Sequence, residues 1–145
     1  MKFIALALLL GSLSAPAAAA DISTHVLDLA RGVGGKAVPV TLSKRAGSKR
    51  VGSKRAGLKR AGDERWQKVG DATTDADGRV RSFGTSGMFD TGIYRLQFDM
   101  SAYPDVSAAP FFPEITLTFR VTDTAGHYHV PVVVSPYGYS TYRGN

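Results

Sequence analysis

Apolar and polar residues alternate along most of this chain. Residues 92–99 (GIYRLQFD) and 111–122 (FFPEITLTFRVT) alternate most strongly, and a period of two is the mark of a half-buried strand. Residues 22–28 (ISTHVLD), 37–42 (AVPVTL), 65–69 (RWQKV) and 79–83 (RVRSF) read the same way. The valine-rich stretch 128–135 and residues 137–143 complete the set. Turn residues separate the runs: RGVGGK follows the first, and Asp75-Ala76-Asp77-Gly78 precedes 79–83. Only residues 100–109 offer a helix, and Pro104 limits it to a short piece. Seven or eight strands with at most one short helix predict an all-β fold, a β-sandwich forming one domain.

One stretch breaks the pattern. Residues 43–62 read SKRAG SKRVG SKRAG LKRAG, four tandem pentapeptides holding eight of the eighteen basic residues. Glycine at every fifth place costs a helix about 1 kcal/mol each time, and nothing in the tract alternates. The expectation is a disordered basic loop that inflates the hairpin between residues 37–42 and 65–69. The formal charge of +6 belongs to this tract, because outside it ten basic residues face twelve acidic ones, leaving −2. Contact with an anionic polymer through 43–62 is the functional reading, and repeat expansion in a tolerant loop the plain one. No aromatic lies inside the tract to stack on bases.

The first twenty residues have the layout of a secretory leader: Lys2, an apolar run, then small residues up to Ala20. A signal peptide at 1–20 and a domain at 21–145 are therefore expected, with the product periplasmic or otherwise exported. No run is long enough to span a membrane, which takes roughly 20 apolar residues. The chain has no cysteine, which excludes a disulfide framework and a thiolate nucleophile.

The candidate chemistry sits on histidines. Two of the three, His127 and His129, are two apart in one strand and therefore share a face, while His25 lies in the first strand. Packing, a zinc site and acid–base catalysis all fit such a pair. A zinc centre needs three converging ligands with carboxylates behind them, and Asp123 is placed in a turn, so no metal is expected. Acid–base work needs a neighbouring cation, and Arg79 and Arg143 are the candidates. Serine hydrolysis lacks a G-x-S-x-G elbow, and Asp75 and Asp77 read as turn residues.

HYHVPVVVSPYGYSTYRGN (127–145) closely resembles the C-terminal signature of the 5-hydroxyisourate hydrolases, transthyretin-related enzymes of urate breakdown whose chains end in Tyr-Arg-Gly-Ser. STHVLD and TTDADGR match that family's other two blocks, and GIYRLQFD and FFPEITLTF its intervening strands. The resemblance covers residues 22–145 apart from the pentapeptides. It implies a transthyretin-like sandwich, a homotetramer (a dimer of dimers) with sites at an interface, a small-molecule substrate and no cofactor.

By the same resemblance His25, Arg79, His129 and the Tyr142-Arg143-Gly144 segment line the site. The implied reaction opens the six-membered ring of 5-hydroxyisourate to give 2-oxo-4-hydroxy-4-carboxy-5-ureidoimidazoline. His129 or His25 would activate water for attack on a ring carbonyl. Arg79, with Arg143, would hold the oxyanion, and His127 would support its neighbour. The chain departs from the family at Asn145, which stands in place of serine, in the basic insertion, and in the proline-broken MSAYPDVSAAP. Transthyretin, the hormone-carrying relative, lacks these histidines and the tetrad. A periplasmic small-ligand carrier and a structural protein anchored by its pentapeptides remain the rival readings.

Overall fold

A computed structural model describes residues 21–47, 65–83, 89–104 and 109–145. The leader and residues 48–62 of the repeat tract lie outside the described residues. Ten strands follow in order: β1 (Asp21–Asp28), β2 (Val33–Gly34), β3 (Pro39–Arg45), β4 (Trp66–Thr73) and β5 (Arg79–Val80), then β6 (Gly92–Asp99), β7 (Glu114–Val121), β8 (His127–His129), β9 (Val132–Ser135) and β10 (Gly138–Thr141). No helix occurs among the described residues. Residues 100–104 make a turn, closed by Tyr103 N donating to Met100 O at 3.0 Å, and the short helix expected to start near Pro104 falls largely on 105–108, outside the described residues.

The strands form two sheets. One is antiparallel in the order β4-β3-β6-β7. The other runs β10-β9-β1-β2, with β5 and β8 also paired to β1. Inward positions of both sheets meet in one core, where Ile22, Val26, Leu42, Tyr94, Leu96, Phe98, Val121 and Val132 are all but sealed from solvent. Each such side chain stabilises the fold by about 1.5–3 kcal/mol relative to exposure. The all-β two-sheet sandwich expected from the sequence is thus the observed architecture.

The sheet built on β1 positions the chemistry. Residues 128–135 do not form one strand, because Pro131 has no N–H to give the ladder. They divide into β8 and β9, both parallel to β1, with Ser23 opposite His129 and Val26 opposite Val132. Thr24 Oγ1 donates to Val130 O at 2.6 Å and Thr141 Oγ1 to Pro131 O at 2.8 Å, which pins the interruption.

The hairpin around the repeat forms, but not with the expected boundary. β3 continues past Leu42 through Ser43, Lys44 and Arg45, so the first pentapeptide starts as strand rather than loop. A bulge between Leu42 and Ser43 breaks the alternation there, which hides the continuation from a period-two reading. Pairing to β4 on one side and β6 on the other holds these polar residues extended. Lys44 is further tied to Asp90, whose carboxylate also accepts from Tyr94 Oη at 3.1 Å.

Candidate active site

Asp21, Ser23 and His25 alternate along β1 and so share a face. β8 lies beside the first two, with Asp21 opposite His127 and Ser23 opposite His129. β5 lies beside the third, with His25 opposite Arg79. One sheet face thus gathers an acid, a hydroxyl, three imidazoles and a guanidinium from strands far apart in sequence.

The turn at residues 75–78 sets Arg79 in register. Asp75 Oδ1 accepts from Asp77 N at 2.9 Å and from Arg79 N at 2.8 Å. These backbone donors, Arg79 N foremost, hold the Asp75 carboxyl below its ordinary pKa, against the smaller opposing effect of desolvation. Gly78 adopts φ +79°, and a Cβ there would meet Val26 O at 2.5 Å. Only glycine fits so close to β1. His25 leans on the same turn, its Nε2 donating to Asp77 O at 2.8 Å. Its ring is held against the turn and does not form part of the cleft wall described next.

On β8, the rings of His127 and His129 lie nearly parallel, 6.4 Å apart, while Tyr128 points into the core. The expectation that the two histidines share a face therefore holds. Ser23 Oγ bridges them, 2.9 Å from His129 Nδ1 and 3.2 Å from His127 Nε2. Asp21 Oδ2 stands 3.4 Å from His127 Nδ1. A cleft of about 310 Å³ opens over this group, lined by Ser23, Arg79, Arg81, His127, His129 and Asn145 among others. Burial lowers the His129 pKa, and the charge of Arg79 lowers it further, with smaller effects from His127 and His25. The ring is thereby kept neutral, with a lone pair available near neutral pH.

The C-terminal segment enters this site only in part. Gly144 N donates to His129 O at 2.9 Å, forming a one-residue bridge with β8. Arg143 instead lies over the Tyr128 ring, 5.5 Å from its centroid, and Tyr142 is exposed. Within one protomer, then, Tyr142 and Arg143 stand outside the cleft, Gly144 packs beneath it and Asn145 lines it. No three His, Asp, Glu or Cys side chains among the described residues are grouped as metal ligands. With His25 Nε2 engaged by Asp77, the three-imidazole zinc arrangement is not formed.

Sequence reasoning missed Ser23, Arg81 and Asn145 as parts of the cleft, and Asp21 as the partner of His127. Period two from His25 reaches Ser23 and Asp21, and from Arg79 reaches Arg81, so that signal was present. What the sequence lacks is the parallel register of β1 with β8, which turns spacing into contact.

The model of the HIUase/transthyretin family matches residues 22–144. The chain belongs to that family. A 5-hydroxyisourate hydrolase of Deinococcus radiodurans is 39% identical over 129 residues, covering 86% of this chain and 95% of its own. The solved 5-hydroxyisourate hydrolase of Klebsiella pneumoniae superposes with a TM-score of 0.65 at 25% identity, covering 87% of this chain and 99% of that one. Sea bream transthyretin in complex with thyroxine superposes with a TM-score of 0.68 at 23% identity, covering 86% and 94%. The sandwich is common to hydrolase and transthyretin members alike, so within this family the discrimination falls to the residues of the cleft.

Proposed function

We propose that this protein is a 5-hydroxyisourate hydrolase of urate degradation. The observation that carries the reading is that half-buried His129, whose pKa burial lowers, and Arg79 line one cleft. A lone-pair imidazole and a fixed cation are what hydrolysis of a cyclic amide needs, and a carrier of apolar ligands has no use for them. The names of relatives in the family point the same way.

In the mechanism proposed, His129 takes a proton from water as the oxygen attacks a carbonyl of the six-membered ring. The carbonyl becomes an oxyanion, which Arg79 faces, with Arg81 adding positive charge for the anionic product. Collapse breaks the ring C–N bond and the departing nitrogen receives the proton from His129. The carbonyl carbon stays in the opened product as a carboxylic acid, which gives its proton to solvent and becomes a carboxylate. His25 orients Arg79 across the β1–β5 ladder rather than acting as the base, since its Nε2 is committed to Asp77 O.

Assembly as a homotetramer is part of the proposal. The exposed aromatics Phe111, Tyr137 and Tyr139, linked by ring contacts through Phe112, support it, because clustered apolar surface of this kind is what interfaces cover. Tyr142 and Arg143 would then complete a site shared between subunits. Export is proposed on the layout of residues 1–20 alone. Mixing the protein with freshly generated 5-hydroxyisourate tests the activity: faster loss of the substrate's ultraviolet absorbance than in buffer supports it. Binding without turnover leaves the small-ligand carrier.

A further inference from the structure

Ser23 is only 6% exposed, yet its hydroxyl meets two imidazoles at once. Its main chain is fixed on the same side, with Val130 N donating to Ser23 O at 3.0 Å. Beyond it, His127 presents Nδ1 to the Asp21 carboxylate at 3.4 Å. The contacts run in a line: Asp21, His127, Ser23, His129.

Hydrogen counting along that line allows two directions, and the Asp21 charge beside His127 selects one. A neutral imidazole has one N–H and one lone pair, and a hydroxyl has one proton to donate. A bare Nδ1 facing Asp21 would set a lone pair against a negative charge, so neutral His127 keeps its proton on Nδ1. Its Nε2 is then an acceptor, and Ser23 Oγ donates to it. Having spent its proton, Ser23 Oγ can only accept from His129. The proton of His129 therefore sits on Nδ1, and Nε2 carries the lone pair.

We propose that Asp21, His127 and Ser23 are positioning residues that fix His129 in the Nδ1-protonated tautomer, leaving Nε2 as the basic nitrogen of the cleft. This deepens the hydrolase reading and rests on it for its consequence in turnover. Free histidine in water favours the opposite tautomer, so the line of contacts does something the ring would not do unaided. Arg79 and Arg81, the other charged groups of the cleft, have no acceptor to offer Nδ1. Protonating His127 reverses the line: both of its nitrogens then donate, Ser23 turns its proton to His129, and the basic nitrogen is lost.

The test is nitrogen-15 NMR of the histidine side chains, which separates protonated from bare ring nitrogens without any turnover. At a pH where His129 is neutral, the full-length protein is expected to show His129 with Nδ1 protonated and Nε2 bare. Ser23→Ala and Asp21→Ala, whose half-exposed side chain lies outside the core, are each expected to lose that single form. Ser23→Thr, which keeps the hydroxyl, is expected to restore it. In parallel, kcat should fall about tenfold or more in Ser23→Ala with KM little changed, and recover in Ser23→Thr. A parent ring protonated on Nε2, or a tautomer untouched by both alanine variants, overturns the proposal. The expected tautomer pattern in a protein that never accelerates hydrolysis upholds the positioning line and removes the hydrolase reading, so the two failures are distinguishable.

Discussion

Gly144 lies directly against the imidazole of His129: a Cβ added to it would stand 2.5 Å from Cδ2 and 3.1 Å from Cγ. Real side-chain carbons do not approach that closely, so Gly144→Ala must displace the ring or the tail that lies against it. The fold has little at stake, because Gly144 joins β8 through a one-residue bridge at the end of the chain. The expected outcome is a fall in kcat of about 10²-fold, the scale on which displacing a reacting group by an ångström acts. Melting followed by circular dichroism should move by only a few degrees. Full activity in Gly144→Ala would contradict the expectation that the His129 ring is displaced.

In the mechanism proposed, Arg79 acts on both the oxyanion and His129. Arg79→Gln is expected to lower kcat/KM by about 10²–10³-fold, the cost of removing one preorganised electrostatic contact. Because burial first and Arg79 second lower the His129 pKa, the acid limb of the parent's pH–rate profile should lie below about 6.5. Removing the guanidinium should shift that limb upward. The same depression fixes a sign for stability: the unfolded chain binds the proton more readily, so this contribution is complete above about pH 6.5 and is lost as pH falls through the native value. Urea melts at a series of pH values check that direction.

Gly78 offers a structural control on the same arginine. With φ +79° and Val26 O only 2.5 Å from where a methyl group would stand, Gly78→Ala strains the backbone and collides with β1. A loss of about 1–3 kcal/mol is expected from the strained conformation alone. Denaturant titration measures it, and a variant as stable as the parent would contradict the tight turn described.

The repeat tract divides into two parts with opposite expectations. Residues 48–62 can be removed while Arg45 still pairs with Trp66 and Ala46 N still donates to Arg65 O at 2.8 Å. That deletion should leave turnover and melting close to those of the parent. Deleting 43–62 as a block removes Ser43, Lys44 and Arg45 from the middle of a three-strand ladder and should destabilise the protein clearly. Equal behaviour of the two deletions would contradict the strand assignment of the first pentapeptide. Retention on an anionic column, with and without 48–62, reports separately whether the tract contacts polyanions.

Much of the fold is legible in the sequence because alternation reports burial. β6 has the limits that its alternation predicts, since Tyr94, Leu96 and Phe98 face the core while their neighbours lie nearer solvent. The continuation of β3 is not legible, because Lys44 is held extended by β4, β6 and Asp90, contacts that no local pattern encodes. The spacing of His127 and His129 is enough to put them on one face. Ser23 and Asp21 escape a local reading because the partners of Ser23 are more than a hundred residues away. Of the tail, Gly144 and Asn145 reach the cleft within one protomer while Arg143 lies over Tyr128, and no local pattern in the sequence separates them.

The most direct test of the central claim is the decay of freshly generated 5-hydroxyisourate, followed by ultraviolet absorbance with the parent protein, with His129→Ala and with buffer alone. The parent should accelerate the decay strongly, and His129→Ala should lose most of that acceleration, on the order of 10²–10⁴-fold for a positioned base. Decay no faster than in buffer from a folded parent, or undiminished acceleration in His129→Ala, would contradict it.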